Sequence, residues 1–458
     1  MFVLFGAFLT RSGAGEFILE LAQALARRLI GGPGYVAVFG SAMMGTISGS
    51  TVANVAATGV FTIPMMKRAG FPARFAAATE AAASTGGQIM PPLMGAGAFV
   101  MASYTGISYL TIIAVSVLPA LLYFWSVTCF VRIQAKRLNL NSDLVEGPGV
   151  AEVVRRGGLQ FFLPIAVLMG LLIWGYTPTY CAGVAIIALI ATSWLRKGYG
   201  MGPRAVYEAL AQGARDMTLT AVLLVGVGIV VNAIATTGIG NTFSLMINQW
   251  AGGSLFIALI LVGIASLVLG MGLPVTASYV VLATLSAQVP PDIIGTFKET
   301  ALSAEALTVA LLSAHMIVFW LSQDSGVTPP VCLTAFAAAA IAGTPPMRTG
   351  FTALKLAKGL YIVPFLFAYT PLLGGKMWLD LQVAFFAFFG IYALAGALEG
   401  YLESPVSWLL RIVLFALGCM MMWPNMQWLH ITGLVLFGLI LYRNVRASSA
   451  PGPATAQP

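Results

Sequence analysis

Two stretches of this sequence combine glycine, proline, hydroxyl and amide residues in a way that could bind a small cation. The first is Gly45–Asn54 (GTISGSTVAN) and the second is Ser84–Pro92 (STGGQIMPP). Glycine and proline interrupt helices, and irregular backbone at membrane depth needs partners for its polar groups. Oxygen atoms of hydroxyl, amide and carbonyl groups are the ligands that hard cations prefer. The two stretches therefore predict oxygen-lined cation sites at helix breaks.

Each stretch has a counterpart later in the chain, at Gly270–Ser278 (GMGLPVTAS) and Gln323–Pro330 (QDSGVTPP). The polar and glycine residues of the four stretches are the predicted cation- and substrate-binding residues: Ser48, Ser50, Thr51, Asn54, Thr85, Gly87, Gln88, Thr276, Ser278, Gln323, Asp324, Ser325 and Thr328. Sodium is the predicted ion, with Thr51, Thr85, Thr276 and Asp324 as its ligands. The alternative is a set of kinked packing helices whose hydroxyls bond their own backbone.

Asp324 is the only acidic residue between Glu305 and Asp380. An ionisable group at membrane depth predicts a cation ligand or a proton carrier, and the alternative is a cap for the helix that follows. Glu80 precedes the equivalent stretch, and it is either functional or paired with basic residues in 67–74. His315 is expected to be a hydrogen-bonded helix residue rather than a proton relay.

Composition places these residues in a membrane protein. Of the 458 residues, 59% are hydrophobic and only 8% are charged, against roughly 25% charged in soluble domains. The net charge is +8, and the basic residues occur in short clusters between apolar runs. This distribution is typical of the positive-inside pattern of membrane proteins and argues against a nucleic-acid-binding surface. Two histidines and four scattered cysteines exclude a Cys/His metal cluster and a disulfide scaffold. The chain is therefore predicted to be an all-α polytopic membrane protein.

Apolar runs of sufficient length predict the membrane helices. The predicted spans are Gly106–Val131, Leu159–Tyr176, Thr179–Leu195, Met217–Thr236, Ser254–Gly270, Leu302–Trp320, Leu360–Leu373, Leu381–Leu398, Val406–Trp423 and Met426–Tyr442. The basic connectors Arg132–Arg156 and Arg196–Arg215 are predicted to be cytoplasmic.

Internal similarity predicts two copies of one unit. Ser12-Gly13 matches Thr237-Gly238 at an offset of 225 positions, and Pro91-Pro92 matches Pro329-Pro330 at an offset of 238. A connector that is rich in positive charge in one copy is poor in positive charge in the other. Equivalent connectors are therefore predicted to lie on opposite sides of the membrane, as inverted-topology repeats require. We therefore predict inverted repeats with re-entrant helical hairpins and broken helices.

The predicted organisation has five parts. They are a first repeat at 1–131 (hairpin 45–64, broken helix 84–103), linking helices and loops at 132–216, a second repeat at 217–375 (hairpin 270–289, broken helix 323–344), extra membrane helices at 376–446 and a disordered tail at 447–458. The first helix of the second repeat begins near Met217, so its counterpart would begin before Met1. This arithmetic predicts a truncated N-terminus with membrane segments missing upstream.

The sequence resembles a known transporter family over roughly Phe2 to Leu373. The runs that carry the resemblance are GTISGSTVANVAATGVFTIPMMKRAGF, ATEAAASTGGQIMPPLMGAGAFVMA, LVLGMGLPVTASYVVLATL and SQDSGVTPPVCLTAFAAAAIAGTPPMRTGF. They are similar to the large permease subunit of tripartite ATP-independent periplasmic (TRAP) transporters. Among these, the chain looks most like the fused permeases that work with the TAXI type of periplasmic binding protein.

The resemblance implies an elevator-type secondary transporter in the bacterial inner membrane, with hairpins at Gly45–Pro64 and Gly270–Val289. It implies a TAXI-type binding protein, a small membrane subunit fused upstream, and a substrate such as a C4-dicarboxylate, glutamate or 2-oxoglutarate. It also implies a sodium gradient as the energy source, without ATP or an organic cofactor. Many dicarboxylate-type members place an aspartate where this chain has Leu273-Pro274, so either Asp324 takes that role or the coupling ion differs.

Two other functions are compatible with these residues. One is a binding-protein-independent anion transporter or ion exchanger of a related inverted-repeat fold. The other is a membrane-embedded enzyme, for which His315 and Asp324 are the nearest candidates. We expect no enzymatic activity and no nucleic-acid partner.

Overall fold

The computed structural model describes residues 1–141, 145, 147–196, 198–271, 273–286, 304–374, 376–424 and 426–449, and within these ranges it contains helices but no β-strand. The α-helices are Phe2–Arg11, Ala14–Ala26, Gly32–Ser48, Thr51–Asn54, Val60–Arg68, Ala73–Gly86, Ala96–Thr105, Tyr109–Arg137, Val150–Val153, Leu159–Ile173, Pro178–Ser193, Pro203–Thr237, Ile239–Ala251, Leu255–Gly270, Val275–Ser286, Ala304–Ser322, Leu333–Ala342, Pro346–Leu356, Gly359–Tyr369, Met377–Glu399, Trp408–Met421 and Gln427–Ser449. Two π-helical turns (Val55–Gly59, Val154–Gly158) and two 3₁₀ turns (Gly87–Ile89, Gln323–Gly326) interrupt or extend them.

Several helices are long and apolar enough to cross a bilayer. Among the described residues they are Tyr109–Arg137, Val150–Ile173, Leu307–Gly326, Pro346–Tyr369, Met377–Glu399 and Gln427–Ala447. Two further pairs of helices qualify if each bent pair is counted as one span. The prediction of an all-α polytopic membrane protein is confirmed.

The two bent pairs lie at the matched glycine motifs. Helices Phe2–Arg11 and Ala14–Ala26 meet at 74°, and 224–237 meets Ile239–Ala251 at 72°. The bends are at Gly13 (φ +84°) and Gly238 (φ +69°), in the left-handed region that glycine adopts without steric cost. Gly13 also has no room for a side chain, because a Cβ there would lie 2.3 Å from the Tyr199 ring.

The first polar stretch forms a break between two helices, here called the Gly49 break. Helix Gly32–Ser48 ends at Gly49 (φ +60°), whose N–H donates to the Gly45 carbonyl. Ser50 then caps the returning helix by accepting a hydrogen bond from the Ala53 amide. Because apolar residues flank the turn on both sides, the helices extend well beyond the predicted bounds of 45–64.

The third polar stretch forms the Leu273 break between helices Leu255–Gly270 and Val275–Ser286. The sequence predicts a separate span at Ser254–Gly270, whereas this helix packs against Val275–Ser286 as one arm of an interrupted pair. Residues 287–289 of the predicted hairpin lie outside the described part of the chain.

The two remaining breaks have the same order of elements. In the Pro91 break, helix Ala73–Gly86 passes into a 3₁₀ turn, a cis Pro91–Pro92 bond and helix Ala96–Thr105. In the Pro329 break, helix Ala304–Ser322 passes into a 3₁₀ turn, a cis Pro329–Pro330 bond and helix Leu333–Ala342. In the Pro91 and Pro329 breaks, the polar stretch is therefore a short interruption between helices of ten residues or more.

Two predicted boundaries are wrong. The helix expected to begin near Met217 begins at Pro203, because its charged first turns form an (i, i+4) ion pair between Arg204 and Glu208 and extend past the apolar segment. The last helix continues to Ser449, so residues 447–449 of the predicted tail are helical. Residues 450–458 lie outside the described ranges.

Two glutamates form ion pairs between the C-terminal part of the chain and the helices that precede it. Glu403 forms ion pairs with Arg132 (2.5 Å) and Lys136 (2.9 Å) of helix Tyr109–Arg137. Glu399 forms ion pairs with Arg137 (3.3 Å) and with Lys355 (2.6 Å) of helix Pro346–Leu356. Each glutamate therefore forms ion pairs with two basic residues of helices Tyr109–Arg137 and Pro346–Leu356.

Replacing Glu403 by glutamine should loosen this attachment. Burial alone would raise the pKa of Glu403, but the Lys136 hydrogen bond and the Arg132 charge outweigh it and hold this pKa below its ordinary value. The stability from this carboxylate is then present above the ordinary glutamate pKa and is lost as the pH falls through the lowered value. We expect Glu403→Gln to cost about 2 kcal/mol at neutral pH, measured by thermal unfolding in detergent.

The exposed Glu152–Arg156 pair supplies the control, since both side chains are at least half exposed and such pairs contribute little. Glu152→Gln should leave the unfolding curve unchanged. If Glu403→Gln unfolds like the unmodified protein at every pH, these ion pairs do not hold the C-terminal helices.

Candidate ion and substrate site

Buried hydroxyl groups bring three of the breaks together. The Thr51 hydroxyl, beside the Gly49 break, lies 2.6 Å from the Thr334 hydroxyl, which follows the Pro329 break. A Cβ on Gly326 would lie 2.8 Å from Thr334 Oγ1 and 3.4 Å from Thr85 Oγ1. Thr51, Thr85, Gly326 and Thr334 therefore form one cluster, although Thr51 and Thr334 are 283 positions apart in sequence. Thr334 was not predicted.

The Gly49 and Pro91 breaks touch through their backbones. A Cβ on Gly45 would lie 2.2 Å from the Gly87 Cα atom, so both positions require glycine. Asn54 is fully buried beside this contact and donates to the Ser41 carbonyl (2.9 Å), but its Oδ1 has no hydrogen-bond partner. Gln88 donates to the Gly49 carbonyl (2.7 Å), and its Oε1 is also unpartnered. Two amide oxygens are thus available here for a ligand.

The Leu273 and Pro329 breaks make the equivalent contact. A Cβ on Gly270 would lie 3.0 Å from Ser278 Oγ and 3.3 Å from the Ser325 Cβ. Ser278, Gln323 and Asp324 are fully buried. The Ser278 hydroxyl, Gln323 Oε1 and both Asp324 carboxylate oxygens lack hydrogen-bond partners. This half of the site therefore presents four acceptor oxygens without donors.

Asp324 is the most informative of these residues. Its carboxylate interacts with the neighbouring Ser325 amide, but no donor meets either oxygen in hydrogen-bond geometry. Asp324 caps neither helix Leu333–Ala342 nor any other described helix. The alternative that it serves only as a helix cap is therefore wrong. A buried, unpaired carboxylate is costly unless a cation or a proton neutralises it.

Other predicted residues use their hydroxyls locally. Ser48 donates to the Ser50 carbonyl, Ser325 donates to the Ser322 carbonyl, and Ser50 is the helix cap. Thr85 donates to the Ala81 carbonyl (2.9 Å), so only its oxygen lone pairs face the cluster. The remaining two are Thr328, whose hydroxyl lies 2.8 Å from that of Tyr361, and Thr276, which is half-buried at the start of helix Val275–Ser286.

For Glu80, the alternative of an ion pair with basic residues in 67–74 is wrong. Lys67 donates to the Ala342 carbonyl instead (3.1 Å), and Glu80 is fully buried among hydroxyl groups. The hydroxyls at Thr58, Thr62 and Ser84 were visible in the sequence, but only the fold aims them at one carboxylate. His315 accords with expectation, since its Nδ1 lies 2.9 Å from the Tyr279 hydroxyl.

The chemistry of the unpartnered atoms favours a hard cation. They are side-chain amide, hydroxyl and carboxylate oxygens. No group of three or more His, Cys, Asp or Glu side chains suited to a metal occurs in the described residues. A cation that prefers oxygen ligands fits this donor set.

Most of the chain matches a known protein family. Residues 1–378 match the model of the family described as "Tripartite ATP-independent periplasmic transporter, DctM component". A C4-dicarboxylate TRAP transporter large permease protein, DctM, of Pseudomonas aeruginosa is 24% identical over 376 residues, which cover 81% of this chain and 83% of that protein.

Two other relatives match over shorter stretches. A putative TRAP transporter large permease protein of Haemophilus influenzae is 28% identical over 193 residues, covering 42% of this chain and 45% of that protein. The 2,3-diketo-L-gulonate TRAP transporter large permease protein YiaN of Escherichia coli is 29% identical over 185 residues, covering 40% of this chain and 43% of that protein. The match thus spans less than half of each of these two relatives.

Proposed function

This chain belongs to the DctM family, the large permease component of tripartite ATP-independent periplasmic transporters, and from this we propose that it imports a small organic anion by using a cation gradient. Members of this family are multi-pass inner-membrane proteins, and the family is one of transporters rather than enzymes. The observation that carries the proposal is the set of buried, unpartnered oxygens at the four breaks.

Sodium is the proposed coupling ion. Asp324, Gln323 and Ser278 would bind it at one half of the site, and Asn54 and Gln88 would bind it at the other. Thr51, Thr85 and Thr276 would complete the ligands through their hydroxyl oxygens. Binding would supply the positive charge that the buried Asp324 carboxylate lacks.

The proposed substrate is a carboxylate such as a C4-dicarboxylate, glutamate or 2-oxoglutarate. Two of the relatives are named for C4-dicarboxylate and for 2,3-diketo-L-gulonate, and both compounds carry carboxylate groups. The helix ends at the breaks present backbone amides, which suit an anion next to a bound cation.

The proposed partners are a TAXI-type periplasmic binding protein and a small membrane subunit. We further propose an elevator-type movement of the helices that carry the breaks, organised as two inverted repeats. The matched bends at Gly13 and Gly238 and the matched order of elements in the Pro91 and Pro329 breaks support this organisation.

Uptake into proteoliposomes tests the function. The chain would be reconstituted with a small membrane subunit and a co-encoded binding protein, and labelled glutamate and C4-dicarboxylates would be supplied under separate sodium and pH gradients. Uptake that requires both the binding protein and a gradient is the expected result. Uptake without the binding protein would favour the binding-protein-independent transporter, and no uptake under any gradient would refute the proposal.

Thr51→Val and Thr276→Val should each weaken activation of uptake by sodium. Valine keeps the shape of threonine and removes one ligand oxygen, so we expect the sodium concentration for half-maximal uptake to rise by about tenfold, which is a typical cost of one lost polar contact to a charge. Thr236→Val is the control, because that hydroxyl is exposed and bonds only to its own helix. Unchanged sodium activation in both variants would remove the two hydroxyls from the ion site.

A further inference from the structure

Glu80 is a fully buried carboxylate enclosed by hydroxyl groups. Its Oε1 accepts hydrogen bonds from Ser41 (2.7 Å), Thr58 (2.5 Å) and Ser84 (3.1 Å), and its Oε2 accepts one from Thr62 (2.5 Å). The four hydroxyls come from helices Gly32–Ser48 and Ala73–Gly86 and from the segment after the Gly49 break. The carboxylate therefore joins both arms of the Gly49 break to the helix that leads into the Pro91 break.

No basic side chain balances the Glu80 charge in the described structure. The charged and titratable groups on the elements packed against helix Ala73–Gly86 are Tyr35, Lys67, Arg68, Tyr109, Tyr123, Cys129, Arg132, Lys136, Arg137, Asp324, Arg348 and Lys355. Lys67 and Tyr123 bond to the backbone carbonyls of Ala342 and Ala82, and Lys355 is paired with Glu399. None of these groups forms an ion pair or a hydrogen bond with Glu80.

The hydroxyl groups can satisfy Glu80 with or without a proton. When it is ionised, all four hydroxyls donate to it. When it is protonated on Oε2, its O–H can donate to Thr62, whose own hydrogen turns to the Thr58 carbonyl at 3.1 Å. The Thr58 hydrogen has a similar alternative in the Asn54 carbonyl at 2.8 Å. Neither state leaves a buried polar group without a partner, which is the costly outcome in protein interiors.

A cation has less access to this carboxylate than a proton has. Three hydroxyls already surround Oε1 and one meets Oε2, so a metal ion would have to displace them. Thr58, which donates to Glu80, can also donate to the backbone carbonyl of Asn54. The side chain of the same asparagine carries an oxygen, Oδ1, that has no hydrogen-bond partner. One hydroxyl thus links Glu80 to the Gly49 break through the π-helical turn Val55–Gly59, and such turns are frequent at functional sites.

We propose that Glu80 is an exchangeable proton-binding site and that its proton weakens cation binding beside Asn54. A cation bound by Asn54 Oδ1 favours the ionised form of Glu80, because its positive charge stabilises the carboxylate and opposes the proton. The coupling must be reciprocal, so the proton lowers the affinity for the cation by the same factor. This coupling rests on the proposed cation site, whereas proton binding by Glu80 does not.

Infrared spectroscopy of the purified full-length chain tests proton binding without transport. A protonated carboxyl group has a C=O stretching band that disappears on ionisation. We expect such a band to disappear as the pH is raised, to be absent in Glu80→Gln and to persist in Asp324→Asn. A spectrum in which Glu80→Gln removes no titrating band would overturn the proposal.

Two controls separate this result from misfolding. Glu20→Gln changes a half-buried carboxyl on helix Ala14–Ala26 and should keep the band. Thr62→Val retains the Glu80 carboxyl but removes one donor to its ionised form, so the band should persist to a higher pH. Thr236→Val should leave the titration where it was. An unshifted titration in Thr62→Val would overturn the role of the hydroxyl groups.

Sodium titration tests the coupling. Saturating sodium chloride, compared with choline chloride, should move the Glu80 titration to lower pH by about one unit, a tenfold coupling of ordinary size. No shift would overturn the coupling. If the unmodified protein shows the band and the shift but no uptake under any gradient, the proton site stands and the transport proposal fails. If gradient-driven uptake occurs and no Glu80 band is seen, the transport proposal stands and the proton site fails.

Discussion

Asp324→Asn should reduce gradient-driven uptake by about 100-fold or more while leaving the protein folded. Asparagine has the same shape as aspartate, but it lacks the charge that a bound cation would neutralise. Removing one partner of a buried charge pair costs about 3–5 kcal/mol, and both Asp324 oxygens are free of other bonds in the structure. Uptake in proteoliposomes measures the loss, and sodium-dependent thermal stabilisation of the purified chain measures the binding step.

Asp380→Asn is the matched control for this variant. Asp380 also has an unpartnered buried oxygen, but it lies in the first turn of helix Met377–Glu399, away from the breaks. We expect near-normal uptake and sodium stabilisation from Asp380→Asn. Normal sodium-driven uptake by Asp324→Asn would exclude Asp324 from the site.

Gly45→Ala should abolish uptake by separating the two breaks of the first half-site. The added Cβ would lie 2.2 Å from the Gly87 Cα atom and 2.9 Å from Asn54 Nδ2. The Gly87 contact is with backbone, so no side-chain rotation relieves it, and overpacking of this kind costs about 1–3 kcal/mol even where the structure adjusts. We expect lower thermal stability together with loss of sodium-dependent stabilisation.

The same helix supplies the control. A Cβ on Gly40 would meet its nearest neighbour at 3.6 Å, an ordinary contact, and alanine favours the helix by about 1 kcal/mol. Gly40→Ala should therefore retain uptake. If Gly45→Ala also keeps its sodium stabilisation, close contact between the Gly49 and Pro91 breaks is not needed for ion binding.

The breaks themselves could be predicted from sequence because their cause is local. Gly49 adopts a left-handed conformation, and the Pro91 and Pro329 breaks contain consecutive prolines; each residue type limits the backbone wherever it occurs. Asp324 could be singled out for a similar reason, since one carboxylate in a long uncharged segment needs compensation whatever the fold. The transporter family could be identified because these motifs are long and contiguous.

The partners of these residues could not be predicted in the same way. Thr334 approaches Thr51 across 283 positions, and the direction of one hydroxyl is set only when both helices are packed. Glu80 lies near basic residues in sequence, so an ion pair with them was a reasonable expectation. The fold instead directs it toward Ser41, from which it is separated by 39 positions. Such contacts depend on the relative rotation of helices, which hydrophobic pattern does not specify.

The attachment of the three C-terminal helices has a mechanical consequence for the membrane. They lie almost wholly beyond residue 378, where the family match ends, and Glu399 and Glu403 fasten them to helices that pack against Ala73–Gly86. Any vertical displacement of that helix therefore carries them through the lipid as well. Trp408 and Trp428 are exposed on these helices, and such rings prefer the headgroup level. In the proposed elevator movement, the surrounding leaflets would have to thin or thicken to follow them, and bilayer elasticity would then be one of the forces that act on that movement.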